Sequence, residues 1–592
     1  MFGNSFDKKL GFWSIFFIAI GATIGTGWIY LPSLLASNVG PSSIYTWLFA
    51  GVMILIVAIT YAEIGAELPQ KSAFIRFPTF AYGNFLGYLF GGSYLIAVAM
   101  TPMIEARAIV ILLSLYFPGL IVSATTLQLS VFGALIAALI ILLFFAINYF
   151  NITLTMILNN IFTFLKLLLL IILVLVLFLF AFHPSNFTSY GGFFPNGVTG
   201  FISLSSLSMV FFALMGFEAI LFFSEEMKDP QKNIPRTIIY SIFSVIIIYF
   251  VLQIAFIGAI NWAAFNINSS FYISHSNYSG LWAAIQASSS GANPLKLLFS
   301  NSIPALNIFL SFLLILTIIA PFITGLIFNL VSGRALYGMA YEKYFPYPFL
   351  KVSKKYNTPI ISLVTMSLFS IILLVLQFSF YKILALFTGF VLLIFLTSGP
   401  VLYTLRAKAK ELYRPFKVPL ANVIAPLSFI IITVLLFSTG FTVMRTVIYI
   451  LFVVMMLSPP FLKALNKIQY LTTFLIVALF IFYAYISIAN MISFYLSYAL
   501  LAIFMVASYL FSYDMVKGKY KEHLKAGYWI IPYILSIFLL VYLDKHNVLS
   551  DLSSIILLII MAVIIFYLSI KSAILSEEIT QIISTKKDSK IL

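Results

Sequence analysis

Long apolar runs dominate this chain and restrict what it can fold into. A helix that crosses a lipid bilayer needs about 20 mostly apolar residues. Backbone polar groups cannot stay unpaired in lipid, so each such run is predicted to form an α-helix. Sixteen segments qualify, at 12–37, 43–66, 85–115, 127–147, 154–182, 200–225, 237–261, 303–332, 359–378, 383–405, 422–441, 446–462, 470–490, 493–513, 527–543 and 553–570.

The composition agrees with a membrane protein of many spans. Hydrophobic residues make up 62% of the 592 residues and charged residues 8%, whereas soluble domains contain roughly 25% charged residues. The chain contains no Cys, which excludes disulfides and thiolate metal sites. We expect neither a cofactor nor a metal site.

Basic residues test the segment count, because they accumulate on the cytoplasmic side of a membrane. With a cytoplasmic N-terminus, 27 of the 33 Lys and Arg fall in inner termini and loops and four in outer loops. A missed helix would reverse every later loop, so the bias favours an even count and two cytoplasmic termini. The net charge of +16 then faces the anionic inner leaflet of the cell membrane. Lipids, not nucleic acid, are the expected partners of this charge.

Two segments are interrupted at matching places. Segment one contains Gly21–Gly27 (GATIGTG), and segment six contains Phe212–Glu218 (FALMGFE). Such a pair of breaks is typical of a transporter binding site. A broken helix offers free N–H groups and the positive end of its dipole to a carboxylate, and free carbonyls to an ammonium group. The pair would suit a zwitterion such as an α-amino acid, although glycines of this kind also permit close helix packing.

Several stretches resemble transporters of the amino acid–polyamine–organocation family. They read GATIGTGWIYLP, YAEIGAELP, FFALMGFEAILFFSEEMKDPQKNIPRTI, GRALYGMAYEKYFPYPFLKVSKKYNTP and RPFKVPL, and they agree with the family in order and spacing over roughly residues 10–465. The resemblance implies an all-α polytopic membrane protein with the leucine-transporter fold. That fold has two inverted five-helix repeats with broken helices 1 and 6.

The resemblance also implies a binding site. By position, the family places the substrate carboxylate on the N–H groups of Thr26 and Gly27, and the substrate amine near the carbonyls of Thr23, Phe212 and Met215. Phe212 resembles the aromatic gate over the site. The predicted substrate-binding residues are Thr23, Ile24, Gly25, Thr26, Gly27, Phe212, Ala213, Met215 and Gly216.

Charges inside predicted helices are functional candidates because they are costly in lipid. Lys166 in segment five resembles the lysine that replaces a sodium ion in sodium-independent members. We expect its ammonium to donate to carbonyls of the first break, in a coupling or a structural role, with Ser332 as a candidate partner. Glu218 either relays protons or caps free N–H groups. Glu105 and Arg107, two residues apart, cannot face each other closely, and their roles stay open.

Three glutamates lie toward the predicted inner face. Glu63, Glu225 and Glu226 are candidates for ion pairs at an inner gate, because Lys228, Lys232 and Arg236 are predicted at the same face. Of the three, Glu226 is expected to be a solvated loop charge. The outer loops contain sequons that would allow glycosylation, at Asn186, Asn268 and Asn277.

These features predict a secondary active transporter, not an enzyme. It would move amino acids by alternating access across the cell membrane, without sodium, coupled to protons or by exchange. A polyamine or other organic cation transporter and a transporter-like nutrient sensor are the alternatives. No pore-ring motif of a channel and no cluster of His, Asp or Glu typical of a membrane enzyme is visible in the sequence.

The predicted organisation follows the segments. The four extra C-terminal helices lack a break motif, and we expect them to pack on the core or to mediate assembly. The predicted parts are a cytoplasmic N-terminus at 1–10, a five-plus-five core at 11–405, helices 11 and 12 at 406–465, additional membrane helices at 466–575 and a cytoplasmic tail at 576–592.

Overall fold

A computed structural model describes most of the chain. The predicted sequons Asn268 and Asn277 and the lysines Lys354 and Lys355 lie outside the described residues. Described are residues 10–70, 72–123, 126–150, 152–260, 278–287, 317–353, 358–376, 379–457, 467–515 and 518–588.

Within these ranges the regular structure is almost entirely helical. A small antiparallel ribbon joins β1 (Ile121–Ser123) to β2 (Gln128–Leu129), with Ile121 opposite Leu129. The longest 3₁₀ helix runs over Phe217–Glu226. The α-helices are α1 Phe12–Thr23, α2 Gly27–Val39, α3 Ser43–Glu67, α4 Ala73–Tyr82, α5 Asn84–Leu113, α6 Val131–Phe150, α7 Ile152–Phe180, α8 Leu204–Leu214, α9 Pro230–Ala259, α10 Tyr278–Ala287, α11 Ile319–Tyr341, α12 Ile360–Val375, α13 Phe380–Phe395, α14 Ser398–Lys408, α15 Ala421–Ser438, α16 Phe441–Met456, α17 Lys467–Ile488, α18 Phe494–Met515, α19 Lys519–Ala526, α20 Ile530–Lys545, α21 Asp551–Ser572 and α22 Glu577–Asp588.

The helices confirm an all-α polytopic membrane protein with extra C-terminal helices. Among the described residues, thirteen helical stretches are long and apolar enough to cross a membrane, and α1, α12 and α16 are shorter apolar helices. Helix α11 differs from its predicted segment, because it continues nine residues beyond 332 to Tyr341. The family resemblance implied that the stretch from Gly333 is the loop after helix eight, but Arg334 is buried and paired with Glu226, so the helix continues through it.

Helix α4 was expected to be an inner loop. It is a ten-residue helix with the sequence AFIRFPTFAY, and all of its residues are buried. Arg76, the one charged residue of this helix, donates to the carboxylates of Glu342 and Glu578. The aromatic residues of the helix supply apolar surface. The segment is too short to span a bilayer, which is why it did not stand out among the apolar runs.

The first of two compact units contains Met1–Ile59, Val98–Arg334 and Val352–Leu384. In it, α1 packs against α7, α9 and the 3₁₀ helix, while α2 packs against α8 and α10. Hydrogen bonds of Gln253 join α9 to α3 and α2. Trp47 Nε1 donates to Gln253 Oε1 at 2.9 Å, and Gln253 Nε2 donates to the Pro32 carbonyl at 3.1 Å. This unit contains both interrupted segments.

A buried asparagine closes one end of α9 in the same unit. Asn186 Nδ2 donates to the carbonyls of Ile257, Gly258 and Ile260 at 3.0, 3.1 and 2.9 Å. The side chain is 3% exposed. Asn186, the first of the three sequons, therefore satisfies free carbonyls at a helix end, and a glycan on its amide would break this arrangement.

The second unit contains Thr60–Ala97, Ala335–Lys351 and Ala385–Leu592. Here α14 packs on α15, α15 packs on α21, and α16 contacts α17 and α20. The additional C-terminal helices therefore pack against the predicted helices eleven and twelve. A shared polar cluster joins α16, α17 and α18, in which Tyr449 Oη lies 2.8 Å from Ser487 Oγ and Tyr483 Oη donates to the Ser497 carbonyl at 2.7 Å.

Candidate functional site: two helix breaks in contact

The first break separates α1, which ends at Thr23, from α2, which begins at Gly27. The first N–H groups of α2 have no partner within the helix, and Thr26 at the N-cap makes no capping bond with its side chain. Thr26 Oγ1 is buried and has no hydrogen-bond partner among the described residues. Buried polar atoms are normally paired, so this hydroxyl is a candidate contact for a bound ligand.

The second break separates α8, which ends at Leu214, from the 3₁₀ helix that begins at Phe217. Met215 is extended, and Gly216 has a φ of 121°, a conformation that L side chains rarely adopt. Glu218 Oε2 accepts a hydrogen bond of 2.8 Å from the Gly216 N–H. Glu218 thus lies where an acidic cap would stabilise the start of the second half-helix.

The two breaks touch each other through glycines. A Cβ at Gly216 would lie 2.7 Å from the Ala22 carbonyl oxygen and 2.8 Å from Thr23 Cα. A Cβ at Gly27 would lie 3.0 Å from Ala213 Cβ. The absence of side chains therefore allows the backbones of segments one and six to meet. Most predicted site residues are buried at this contact, and Phe212 is half-buried.

Lys166 of α7 fills the carbonyl end of the first break. Its Nζ donates to the carbonyls of Gly21 and Ile24 at 2.9 and 2.7 Å. The side chain is 2% exposed. Thr324 of α11 donates to the same two carbonyls at 2.8 and 3.3 Å. These oxygens, which a cation would otherwise coordinate, are therefore occupied by protein donors.

The partner of Lys166 in segment eight differs from the expected one. Ser332 donates to the Asn329 carbonyl of its own helix at 2.7 Å, whereas Thr324 takes the position at the break. The two residues are eight apart on α11, which is about 12 Å along a helix. Ser332 is therefore too far along the helix to share these carbonyls.

Glu105 of α5 completes the site, and its role was left open by sequence reasoning. Its carboxyl group interacts with the backbone amide of Thr26 and electrostatically with Lys166. Its Oε1 lies so close to Gly25 that a Cβ there would overlap it. The side chain is 4% exposed, and its Oε2 has no hydrogen-bond partner among the described residues. Arg107 contacts a different group, the Leu127 carbonyl, at 3.5 Å.

The position of Glu105 differs from the arrangement that the family resemblance implies. The N–H of Thr26 was expected to be free for a substrate carboxylate, but in this structure it faces the Glu105 carboxyl group. A carboxylate of the protein thus lies where a carboxylate of the substrate was expected. The only sequence signal for this was an acidic residue in the middle of an apolar segment. Across the described residues, no group of three or more His, Cys, Asp and Glu side chains could hold a metal ion.

The expected ion pairs involve other partners than their sequence neighbours. In the first unit, Glu226 pairs with Arg334 at 2.6 Å and is 7% exposed, so the expectation of a solvated Glu226 was wrong. Arg334 also donates to the Phe222 carbonyl at 3.1 Å. In the second unit, Glu63 accepts from Arg406 at 2.7 and 2.5 Å. These partners are far apart in the chain, so sequence proximity could not reveal them.

Comparison with known proteins identifies the family. The amino acid permease family matches residues 10–458. The chain belongs to the amino acid permease family. This permease is 28% identical to the glutamate/serine transporter AimA of Bacillus subtilis (strain 168) over 465 residues, which is 76% of this chain and 81% of AimA.

Two further relatives, like AimA, are proteins of Bacillus subtilis (strain 168). The aspartate-proton symporter is 30% identical over 440 residues, with 74% of this chain and 80% of the relative covered. The branched-chain amino acid permease BcaP is 27% identical over 275 residues, with 44% of this chain and 57% of BcaP covered. The family identity agrees with a permease and not an enzyme, and amino acids are the substrate class that these relatives share.

Proposed function

We propose that this permease is a secondary active transporter that moves amino acids across the cell membrane by alternating access. Its substrate would bind where the two breaks meet. The contact of Gly216 with the Ala22 carbonyl carries this proposal, because it brings the N–H groups at the start of α2 and the backbone carbonyls of the second break into one site. A zwitterion needs both kinds of group at once.

Transport should not need sodium. Lys166 Nζ lies 2.9 and 2.7 Å from the carbonyls of Gly21 and Ile24. A sodium ion at these oxygens would meet a fixed ammonium, and two cations cannot share one coordination site. Lys166 therefore acts as a permanent substitute for a bound cation, and it keeps α1 interrupted while the site empties and fills.

Proton coupling follows from the position of Glu105. The substrate carboxylate and the Glu105 carboxyl group compete for the N–H of Thr26. Two ionised carboxylates so close together in a buried site repel each other strongly. Substrate binding would therefore bring a proton onto Glu105, and substrate release would free it. This arrangement yields proton co-transport, and Glu218, which caps the second break, is the rival proton site.

The inference about the substrate rests on the relatives. The names of the two relatives that cover most of this chain include glutamate, serine and aspartate. We infer that the permease takes acidic or small polar amino acids. A polyamine transporter is disfavoured, because a polyamine has no carboxylate for the free N–H groups at the start of α2 and the Thr26 hydroxyl.

The wider organisation is part of the same proposal. Residues 11–405 would form the five-plus-five core and 406–465 the two helices after it. The additional helices of 466–575 would pack beside them in the cell membrane. Both termini would face the cytoplasm, because that orientation keeps 27 of the 33 basic residues inside.

Uptake into liposomes tests the function. The purified chain is reconstituted, and uptake of radiolabelled glutamate, aspartate and serine is followed with sodium or choline outside and with or without an inward proton gradient. The proposal predicts saturable uptake of at least one of them, equal in sodium and choline and increased by the proton gradient. Specific amino acid binding without uptake would indicate a sensor, and a strict sodium requirement would refute the assigned role of Lys166.

A further inference from the structure

A cleft of about 490 Å³ lies among the additional C-terminal helices, within the second unit. Residues from the ends of α18 and α21, from α19 and from the turn before α20 line it. None of these residues contributes to the transport site. The lining residues are Tyr509, Leu510, Tyr513, Glu522, Lys525, Tyr528, Ser572 and Ile574.

Backbone contacts fix the frame of the cleft. Tyr509 Oη donates to the Leu524 carbonyl at 3.1 Å, and Ser572 Oγ donates to the Ala526 carbonyl at 2.9 Å. These bonds tie α18 and α21 to the short helix α19. The shape of the cleft is therefore fixed by contacts among three helices.

The ends of the candidate membrane spans indicate that the cleft lies at the boundary between membrane and water. Three candidate membrane spans have one terminus near the cleft. The first ends at Asp514, the second begins at Lys521 and the third ends at Ser572. Tyrosines are enriched at this depth, where their rings lie among lipid headgroups. A ligand of this cleft would therefore come from the interface.

Positive charge surrounds the tyrosines. Lys521 Nζ lies over the Tyr513 ring, 4.2 Å from its centroid, and Lys525 interacts electrostatically with the same tyrosine. One tyrosine thus brings two ammonium groups together. Glu522 neutralises only part of this charge through its 3.1 Å pair with Lys525. Nearby along the chain, Lys519 and Lys571 add positive charge, and Asp514 and Glu577 are the acidic neighbours.

We propose that this cleft binds the headgroup of an anionic phospholipid. The phosphate would lie between Lys521 and Lys525, and an acyl chain would extend over the apolar surfaces of Leu510 and Ile574. A cationic ligand is disfavoured because Lys521 already covers the face of Tyr513. An uncharged headgroup would offer no counter-charge to the positive charge that Glu522 leaves unneutralised. Free phosphate shares the headgroup chemistry but would not use the apolar surfaces.

Calorimetric titration of the full-length chain in detergent tests this proposal. The probes are dioctanoyl phosphatidylglycerol, dioctanoyl phosphatidylcholine and inorganic phosphate. We expect saturable binding of the glycerol lipid and much weaker binding of the other two. In the double variant Lys521→Gln/Lys525→Gln, affinity should fall about fivefold for each lysine removed, because each basic residue near an anionic lipid contributes about that factor.

Lys545→Gln is the matched control, because Lys545 ends α20 at the other end of the candidate membrane span that begins at Lys521. It should leave affinity unchanged. If the double variant does not fold, Leu510→Trp fills the cleft from an exposed position and should weaken lipid binding. Equal affinity for the choline lipid or for inorganic phosphate would overturn the proposal. So would a loss in Lys545→Gln as large as in the double variant.

Discussion

Replacing Lys166 by Met removes the ammonium from the first break and keeps most of the side chain's length. The variant loses two charged hydrogen bonds, of 2.9 Å to the Gly21 carbonyl and 2.7 Å to the Ile24 carbonyl. Hydrogen bonds to charged groups contribute about 1.5–3 kcal/mol each. Thr324 Oγ1 still lies 2.8 and 3.3 Å from the two oxygens and has one hydrogen to donate, so the loss should correspond to about one such bond.

That loss destabilises the interrupted form of α1, in which the substrate site exists. Because each 1.4 kcal/mol corresponds to a tenfold change, substrate affinity should fall about tenfold or more. Thr324→Val is the matched control, because it removes an uncharged donor to the same carbonyls. It should weaken binding less than Lys166→Met, and the double variant should lose more than the sum of the two, since the carbonyls are then unpaired.

The assay is substrate binding to the purified variants, with uptake measured in parallel against external pH. If Lys166 also takes part in proton coupling, Lys166→Met loses its dependence on the proton gradient. If its role is structural, the pH profile survives in the remaining activity. Wild-type affinity together with an unchanged pH profile in Lys166→Met would refute both roles.

Three further predictions concern other parts of the molecule. Gly216→Ala should weaken substrate binding at least tenfold, because the φ of 121° at Gly216 and its contact with the Ala22 carbonyl exclude a side chain. Gly197→Ala is the control and should bind substrate normally, because Gly197 has a φ of 80° but open space around it. Equal affinities of the two variants would argue against a shared site at the breaks. Glu105→Gln should keep substrate binding but lose the stimulation of uptake by a proton gradient, measured in proteoliposomes, and a loss in Glu218→Gln instead would transfer the proton to the rival site. Glu226→Gln should lower the free energy of unfolding by about 3–5 kcal/mol, because it removes the charge that pairs with the buried Arg334; the melting temperature follows this loss. Glu522→Gln, whose pair with Lys525 is exposed, is the control and should leave the melting temperature nearly unchanged.

The fold could be predicted from the sequence where one local property decides the structure. Apolar runs of sufficient length identify the helices without any knowledge of their neighbours. The breaks were visible because Gly25, Gly27 and Gly216 interrupt apolar runs, and glycine is the residue that permits such conformations. Segment eight was predicted to end at 332, nine residues before the end of α11, because the pairing of Arg334 with Glu226, which lets the helix continue, is not visible in the local sequence.

The candidate site was predictable only in part, because it depends on residues far apart in the chain. Glu105 was visible as a charge in an apolar segment, but nothing in its neighbourhood indicated that it would face Thr26. The choice between Thr324 and Ser332 depends on how α11 is placed along α1, which no local pattern encodes. The same holds for Glu226 and Arg334, whose pairing requires the packed structure.

The central claim is that the substrate binds at the first break, and thiol labelling tests it most directly. The chain contains no Cys, so Thr26→Cys introduces a single thiol at the free hydroxyl position, and Ser189→Cys introduces one in an exposed loop as the control. Labelling by a water-soluble methanethiosulfonate is followed with and without a saturating amino acid that the wild type takes up. The account predicts that the amino acid slows labelling of Thr26→Cys and leaves Ser189→Cys unchanged. Equal labelling of Thr26→Cys with and without that amino acid would contradict it.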